Sequence, residues 1–286
     1  MGQCSESRPR VTGLKGTNPP PARRKSPLQT IQTVGRAAEA LRAGSVEVAA
    51  NVASGIRRIA SEAWAFRWQV EREAEVRFAR LGRQLSEIGA PELLAALAHR
   101  SSADERRHAV LCFDLAKEYG YEGSQSAEVR LAEIAPRGLS LRQKVLYELV
   151  ASCCITETES MSVLTTLLRS ARARRMKQVL QEIARDEVSH SKLGWAHLAH
   201  EQSEGDVRFL GPLIPDMLEG TVSESFFQRA AEELENPELL QHGVLPHSTK
   251  QSIFIQTLRE IVFPGLDTLG VESAPGRRWL ERRAHA

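Results

Sequence analysis

Two glutamate–histidine pairs of identical spacing are the residues of this chain best suited to chemistry. Glu105 precedes His108 by three positions, and Glu187 precedes His190 by the same interval. On a helix this spacing places both side chains on one face, where a carboxylate oxygen and an imidazole nitrogen can bind one metal ion. The face that carries the first pair is otherwise apolar or small: Leu94, Leu97, Ser101, Cys112 and Leu115. Ionisable groups on such a face need a charged partner or a metal ion, because burying an unpaired charge costs several kcal/mol.

Two further segments carry a glutamate in the middle of an apolar helical stripe. Glu157 lies on one such stripe, from which Glu159 points away; on the other, both Glu71 and Glu75 qualify and Glu73 does not. One glutamate from each of two helices, together with a Glu-x-x-His from each of two others, is the ligand pattern of di-iron and di-manganese carboxylate bundles. The residues therefore predict two adjacent metal ions on four glutamates and two histidines. The alternative is that the glutamates lie at the surface and the histidines are hydrogen-bonded core residues.

Four long helices are predicted to position these residues. They extend over residues 61–88, 91–119, 140–168 and 171–200. Ser61 is the expected N-cap of the first helix, and Ser140 with Gln143 predicts a capping box for the third. Strand patterns are nearly lacking, and the connection between the second and third helices is the longest. The predicted fold is therefore an all-α four-helix bundle with a long crossover.

The rest of the chain flanks this bundle, which we assign to residues 61–204. Prolines and basic residues without apolar periodicity predict a disordered tail over residues 1–30, and residues 31–60 predict short, weak helices. Residues 205–286 predict a C-terminal helical extension that packs on the bundle. Its helices are expected near residues 206–218, 223–235 and 248–270.

Composition limits the classes of partner. The formal net charge of +2 predicts neither a nucleic-acid partner nor a membrane. No apolar run approaches the roughly 20 residues of a membrane-spanning helix. Cys153 and Cys154 are adjacent in a helix-like run, where a mutual disulfide would be strained, so we expect a reduced, cytoplasmic protein.

The aspartates that precede the two ligand glutamates are expected to support the histidines. We predict that Asp104 accepts a hydrogen bond from His190, and Asp186 from His108, because a metal-bound imidazole usually donates its second nitrogen to such an acceptor. The alternative is a surface ion pair, such as Asp104 with Arg100 or Arg107. Four other histidines are expected at the surface: His197, His200, His242 and His247.

The chain also resembles the bacterial ferritin-like domain-containing proteins over roughly residues 61–270. The resemblance is carried by WQVEREAEVRF at 68–78, GAP at 89–91, DERRH at 104–108, CITET at 154–158 and DEVSH at 186–190. More distantly the chain is similar to rubrerythrins, bacterioferritins, ribonucleotide reductase small subunits and arylamine N-oxygenases. The resemblance implies a ferritin-like bundle with these metal ligands: Glu71, Glu105, His108, Glu157, Glu187 and His190. Glu75 is a candidate extra ligand, and Cys112 stands where the reductase subunits need a tyrosine.

Carboxylate and imidazole ligands favour iron or manganese, and oxidation chemistry is the natural use of such a pair. We expect two iron ions, with two manganese ions or a mixed pair as the alternative. The main hypothesis is an oxidoreductase that activates dioxygen or peroxide, acts on a small organic substrate and receives electrons from a donor. The alternatives are an iron- or peroxide-handling protein without an organic substrate, and a non-catalytic ferritin-like binding protein. The sequence leaves the oligomeric state open, and a homodimer is the candidate.

Overall fold

The computed structural model describes residues 53–125, 129 and 131–284. The predicted tail at 1–30 and most of the predicted segment at 31–60 lie outside these residues. Across the part that is described, the chain is all-α and forms no strand. No helix among the described residues combines the length and apolarity needed to cross a membrane.

Long helices occupy the first part of the described chain. They are α1 (Ser54–Glu87), α2 (Glu92–Glu118), α3 (Leu141–Leu149), a π-helical segment (Val150–Glu157), α4 (Thr158–Ser170) and α5 (Arg174–Glu204). The π-helical segment continues α3 into α4, so residues 141–170 form one uninterrupted helical rod. We call α1, α2, this rod and α5 the four long segments.

The local sequence explains two of the helix ends, at Ser140 and Gly89, but not the start of α1. Ser140 and Gln143 form the predicted capping box, which is confirmed. Gly89 has a φ of 69°, a left-handed conformation that suits glycine and ends the turn after α1. The predicted N-cap at Ser61 is wrong, because α1 begins at Ser54 and Ser61 lies buried inside it.

The four long segments contact one another in a closed ring. Helix α1 packs on α2, α2 packs on α5, α5 packs on the rod, and the α3 part of the rod returns to α1. Helix α5 lies close to the rod at Gly194, where an added Cβ would lie 2.5 Å from the Cβ of Cys153. A side chain at position 194 would therefore force α5 away from the rod.

Two apolar clusters occupy the interior of this ring. One includes Trp68, Leu164 and Ile183. The other includes Phe78 and Leu193. On each of the four long segments, the residues predicted to bind metal lie between the part that joins one cluster and the part that joins the other. The folded chain thus places a polar layer between two apolar layers that exclude water from it.

The C-terminal part forms shorter helices. They are 3₁₀ turns at Arg208–Leu213, Glu224–Phe227, Glu232–Glu235 and Pro237–His242, helices α6 (Ile214–Thr221), α7 (His247–Thr257), α8 (Phe263–Thr268) and α9 (Ala274–Ala284), and a π-helical segment at Leu258–Val262. The predicted helix at 223–235 is wrong, since only two 3₁₀ turns form there. Helix α9 was not predicted. Phe254, Phe263 and Trp279 join residues of the rod in one apolar cluster.

Candidate metal centre

All six predicted ligands lie in the interior of the ring of long segments. Glu71 comes from α1, Glu105 and His108 from α2, Glu157 from the end of the π-helical segment, and Glu187 and His190 from α5. Their exposed fractions run from 0% for both histidines to 8% for Glu157. Four carboxylates in so small a buried volume are destabilising unless cations or protons offset their charge.

These six side chains form two groups of four. The first group is Glu71, Glu105, His108 and Glu187; the second is Glu105, Glu157, Glu187 and His190. Within each group the potential ligand atoms lie within 4.8 Å of one another. Glu105 and Glu187 belong to both groups. Two carboxylates shared by two adjacent four-donor groups could bridge two metal ions.

The π-helical segment delivers Glu157 to this cluster. Thr158 Oγ1 donates to the carbonyl of Cys153 at 3.4 Å, and Thr156 Oγ1 donates to that of Ala151 at 3.1 Å. Both hydroxyls reach carbonyls five residues earlier, the interval of the π-helical turn. Single π-helical turns within α-helices occur frequently at functional sites. The apolar stripe predicted that Glu157 points inward, but nothing in the sequence indicated the π-helix.

The glutamates respond differently to burial. Burial, reinforced by the charge of Glu105, raises the pKa of Glu71 well above its ordinary value. Burial and the charge of Glu187 do the same to the pKa of Glu157. Burial also acts to raise the pKa of Glu105, but hydrogen bonds from His108 and His190 outweigh it and lower that pKa to about 2. Glu105 is therefore the carboxylate to which both histidine rings are hydrogen-bonded.

Both histidines turn the same ring nitrogen toward the glutamates. His108 Nδ1 lies 3.2 Å from Glu105, and His190 Nδ1 lies 2.8 Å from Glu105 and 3.0 Å from Glu187. Burial acts to lower the pKa of His190, yet its hydrogen bonds to Glu105 and Glu187 raise that pKa to about 12. Each Nδ1 thus lies in hydrogen-bonding contact with a carboxylate. A metal ion that binds at Nδ1 must displace any proton there.

Each opposite ring nitrogen faces the predicted aspartate, but only one of the two predicted hydrogen bonds is present. His108 Nε2 lies 3.3 Å from Asp186 Oδ2, within hydrogen-bonding range. His190 Nε2 lies 3.6 Å from Asp104 Oδ2, too far for a hydrogen bond, and has no other hydrogen-bond partner among the described residues. The alternative ion pair also forms, since Arg107 binds Asp104 at 2.6 Å. The aspartates thus face the histidines and an arginine together.

The other glutamates of α1 lie outside both groups. Glu73 is exposed, as its position off the apolar stripe predicted. Glu75, the candidate extra ligand, is only partly buried and binds Arg106 at 2.7 Å. The thiol of Cys112 faces the cluster instead, with its sulfur 3.9 Å from Glu71 Oε1.

Two of the histidines expected at the surface are buried, so that expectation is wrong for them. His197 is fully buried, 3.7 Å from Glu201, and neither of its ring nitrogens is hydrogen-bonded within the part of the chain that the structure describes. His242 Nδ1 is hydrogen-bonded to the hydroxyl of Tyr119 at 3.0 Å. His197 follows His190 by two helical turns, and that interval was the available signal for its burial.

The donor set fits metal ions. Carboxylate oxygens and neutral imidazole nitrogens are ligands for divalent first-row metals, and the acceptor behind the His108 ring suits a histidine that binds through Nδ1. Cations would also offset the repulsion among the four glutamates. The cluster of buried glutamates and histidines could therefore hold metal ions.

Comparison with known proteins adds no family to this description. No protein-family model, no curated protein and no solved structure matches the chain. The ferritin-like resemblance therefore stays a prediction.

Proposed function

We propose that this chain is a ferritin-like di-metal carboxylate protein, and that it oxidises a small organic substrate with dioxygen or peroxide. One observation carries the proposal: six buried side chains from the four long segments form two four-donor groups that share Glu105 and Glu187. Glu71 and His108 would complete the first metal position, and Glu157 and His190 the second. We propose iron for both positions, with manganese or a mixed pair as the alternative.

The ring of the four long segments supports the ferritin-like part of the proposal. The connection between α2 and α3, residues 119–140, is much longer than the turns at 88–91 and 171–173. A bundle with one long crossover has such an arrangement, and metal sites of this superfamily lie in the core between facing helices. In this chain the six buried side chains likewise lie in the interior, between two apolar clusters.

The protein's own residues would prepare the centre for redox chemistry. The six side chains would hold two iron or manganese ions, which when bound would supply redox chemistry toward dioxygen or peroxide. The four glutamates would offset the positive charge of the ions, and Asp186 would hold the His108 ring. The flanking apolar clusters exclude bulk water, which strengthens every electrostatic interaction in the layer.

A second candidate function is the handling of iron or peroxide without an organic substrate. The burial of all six side chains favours it, because small reactants reach such a centre more easily than an organic molecule does. A shallow surface depression of about 330 Å³, lined by Gln202, Gly205, Asp206, Val207, Arg208 and Gly270, includes none of the six. The third candidate is a non-catalytic ferritin-like binding protein whose metal chemistry has been lost.

Metal stoichiometry tests the centre itself. After anaerobic loading with Fe²⁺ and desalting, elemental analysis is expected to give about two ions per chain. Glu157→Ala and His190→Ala should lower that content markedly, because each removes a donor. The matched controls are Glu73→Ala, an exposed glutamate of α1, and His200→Ala on α5; both should load like the wild type. Wild type and ligand variants that are equally empty would refute the metal centre.

Reaction with oxidants separates the candidate functions. Fe²⁺-loaded protein is mixed with dioxygen or hydrogen peroxide, and oxidant consumption is followed with and without a panel of small organic compounds. Consumption that depends on a compound, together with its oxidised product, supports the oxidoreductase. Turnover of Fe²⁺ and oxidant alone supports iron or peroxide handling. A loaded protein that consumes neither oxidant is a binding protein.

A further inference from the structure

The guanidinium of Arg107 lies across the two aspartates that face the histidines. Its Nη1 donates to Asp104 Oδ1 at 2.6 Å, and its Nη2 donates to Asp186 Oδ2 at 2.7 Å. Asp104 belongs to α2 and Asp186 to α5. One arginine therefore joins the two helices that carry the Glu-x-x-His pairs, and its planar fork of donors suits simultaneous contact with two carboxylates.

Each of these aspartates also faces a histidine of the other helix. Asp186 shares its Oδ2 between Arg107 and His108, which lies 3.3 Å away. Asp104 Oδ1 accepts a hydrogen bond from Arg107, and Asp104 Oδ2 faces His190 Nε2 at 3.6 Å. Both aspartates are buried, with exposed fractions of 6% and 8%. The direction in which Arg107 holds them thus decides where their free lone pairs point.

The two Glu-x-x-His pairs are not equivalent in this respect. Arg107 immediately precedes His108, whereas Ser189 occupies the corresponding position before His190. Asp186 has a second cation, because Arg185 contacts its Oδ1 at 3.3 Å from a side chain that is 74% exposed. Asp104 is therefore the aspartate whose direction depends more on Arg107.

We propose that Arg107 is a positioning residue for the metal centre, which keeps Asp186 hydrogen-bonded to His108 and Asp104 directed at His190 Nε2. The proposal rests on the proposed function, since it assigns Arg107 a role toward bound metal. Without the guanidinium the two carboxylates repel each other, and rotation toward solvent becomes favourable. His108 then loses the acceptor that fixes the orientation and tautomer of its ring, and His190 loses the carboxylate that faces its Nε2 at 3.6 Å.

Cobalt binding to the full, metal-free chain tests this role. Co²⁺ is titrated into the protein and followed by its visible absorption bands. Arg107→Ala is expected to bind about 10- to 100-fold more weakly than the wild type, the usual effect of losing support for a ligand. Arg106→Ala is the matched control: Arg106 is the adjacent residue, 70% exposed, and pairs with Glu75 outside both groups. Its Co²⁺ affinity should equal that of the wild type.

Chemical rescue separates positioning from a general structural contribution. The Arg107 side chain is 45% exposed, so its removal opens a space that solvent can reach. Guanidinium chloride at non-denaturing, low millimolar concentration should restore much of the Co²⁺ affinity of Arg107→Ala. It should leave Arg106→Ala and the wild type unchanged. A loss of affinity that guanidinium does not restore overturns the positioning role.

The remaining outcomes are also decisive. A wild type that binds no Co²⁺ overturns the proposed function and this inference with it. Wild-type binding with unchanged affinity in Arg107→Ala overturns the inference alone. Circular dichroism shows whether Arg107→Ala folds; if it does not, Arg107→Lys decides, because an ammonium group cannot span two carboxylates as a guanidinium does. Wild-type affinity in Arg107→Lys would then refute the role of the fork.

Discussion

Replacement of Glu157 by glutamine should stabilise the metal-free protein while it weakens metal binding. The ligand atom of Glu157 lies within 4.8 Å of those of Glu105, Glu187 and His190. Two unit charges at this separation interact by roughly 3.5 kcal/mol at an effective dielectric constant of about 20. Two repulsive glutamates against one attractive histidine leave about one such interaction unfavourable. Glutamine keeps the size of the side chain and removes its charge.

Protonation limits how much of this repulsion is expressed. Burial, then the charges of Glu187 and Glu105, raises the pKa of Glu157 well above its ordinary value. Because the folded-state pKa is raised, the carboxyl destabilises the folded protein above its unfolded pKa and has no such effect below it. We therefore expect Glu157→Gln to gain about 2 kcal/mol at pH 8, and the gain to vanish below about pH 4. For a chain of this size that corresponds to a Tm increase of roughly 4–8 °C.

Differential scanning calorimetry with and without chelator measures both effects. With chelator, Glu157→Gln should unfold at a higher temperature than the wild type at pH 8. After loading with Fe²⁺ under anaerobic conditions the order should reverse, because bound metal stabilises the wild type more. Glu73→Gln is the control, because it makes the same substitution at an exposed glutamate. It should change the unfolding free energy by less than about 0.5 kcal/mol. A chelated Glu157→Gln that is less stable than the wild type would refute the repulsion argument.

Two further predictions concern pH and packing. Because the pKa of His190 is raised to about 12, its contribution to stability is complete below pH 6.5 and is lost as pH rises toward 12. The chelated protein should thus lose up to about 1.4 kcal/mol per pH unit between pH 7 and 9; a Tm that is constant or rises over that range would contradict this. Gly194→Ala should destabilise the protein by about 1–3 kcal/mol in urea unfolding, because the new Cβ would lie 2.5 Å from that of Cys153. Gly55→Ala, with no atom within 4 Å of the new Cβ, is its control and should be neutral or stabilising; equal effects of the two substitutions would argue against close helix contact.

Local geometry explains which site residues could be predicted. An interval of three residues places a glutamate and a histidine on one helical face whatever surrounds the helix, so each Glu-x-x-His could be recognised directly. The inward direction of Glu157 followed from the apolar residues one turn before and after it. The capping box at Ser140 likewise depends only on residues close in sequence.

Positions that depend on contact between distant segments were less predictable. Glu71 and Glu75 lie one turn apart on the same stripe of α1, so the stripe left both open as ligands. Packing against α2 separates them, because Arg106 binds Glu75 at 2.7 Å and keeps it at the edge. His197 was expected at the surface, yet its burial depends on how the end of α5 meets the neighbouring helices.

By itself, then, the sequence determined that the chain is helical and that Glu157 and both Glu-x-x-His pairs face inward, because helical periodicity is a property of neighbouring residues. Only the tertiary structure decided that Glu105 and Glu187 belong to both four-donor groups, since that depends on distances between different helices. The same holds for Arg107, whose fork can hold two aspartates only because α2 and α5 pack side by side. Interhelical separation and side-chain direction are set by the packing of the whole core, which no short interval in the sequence encodes.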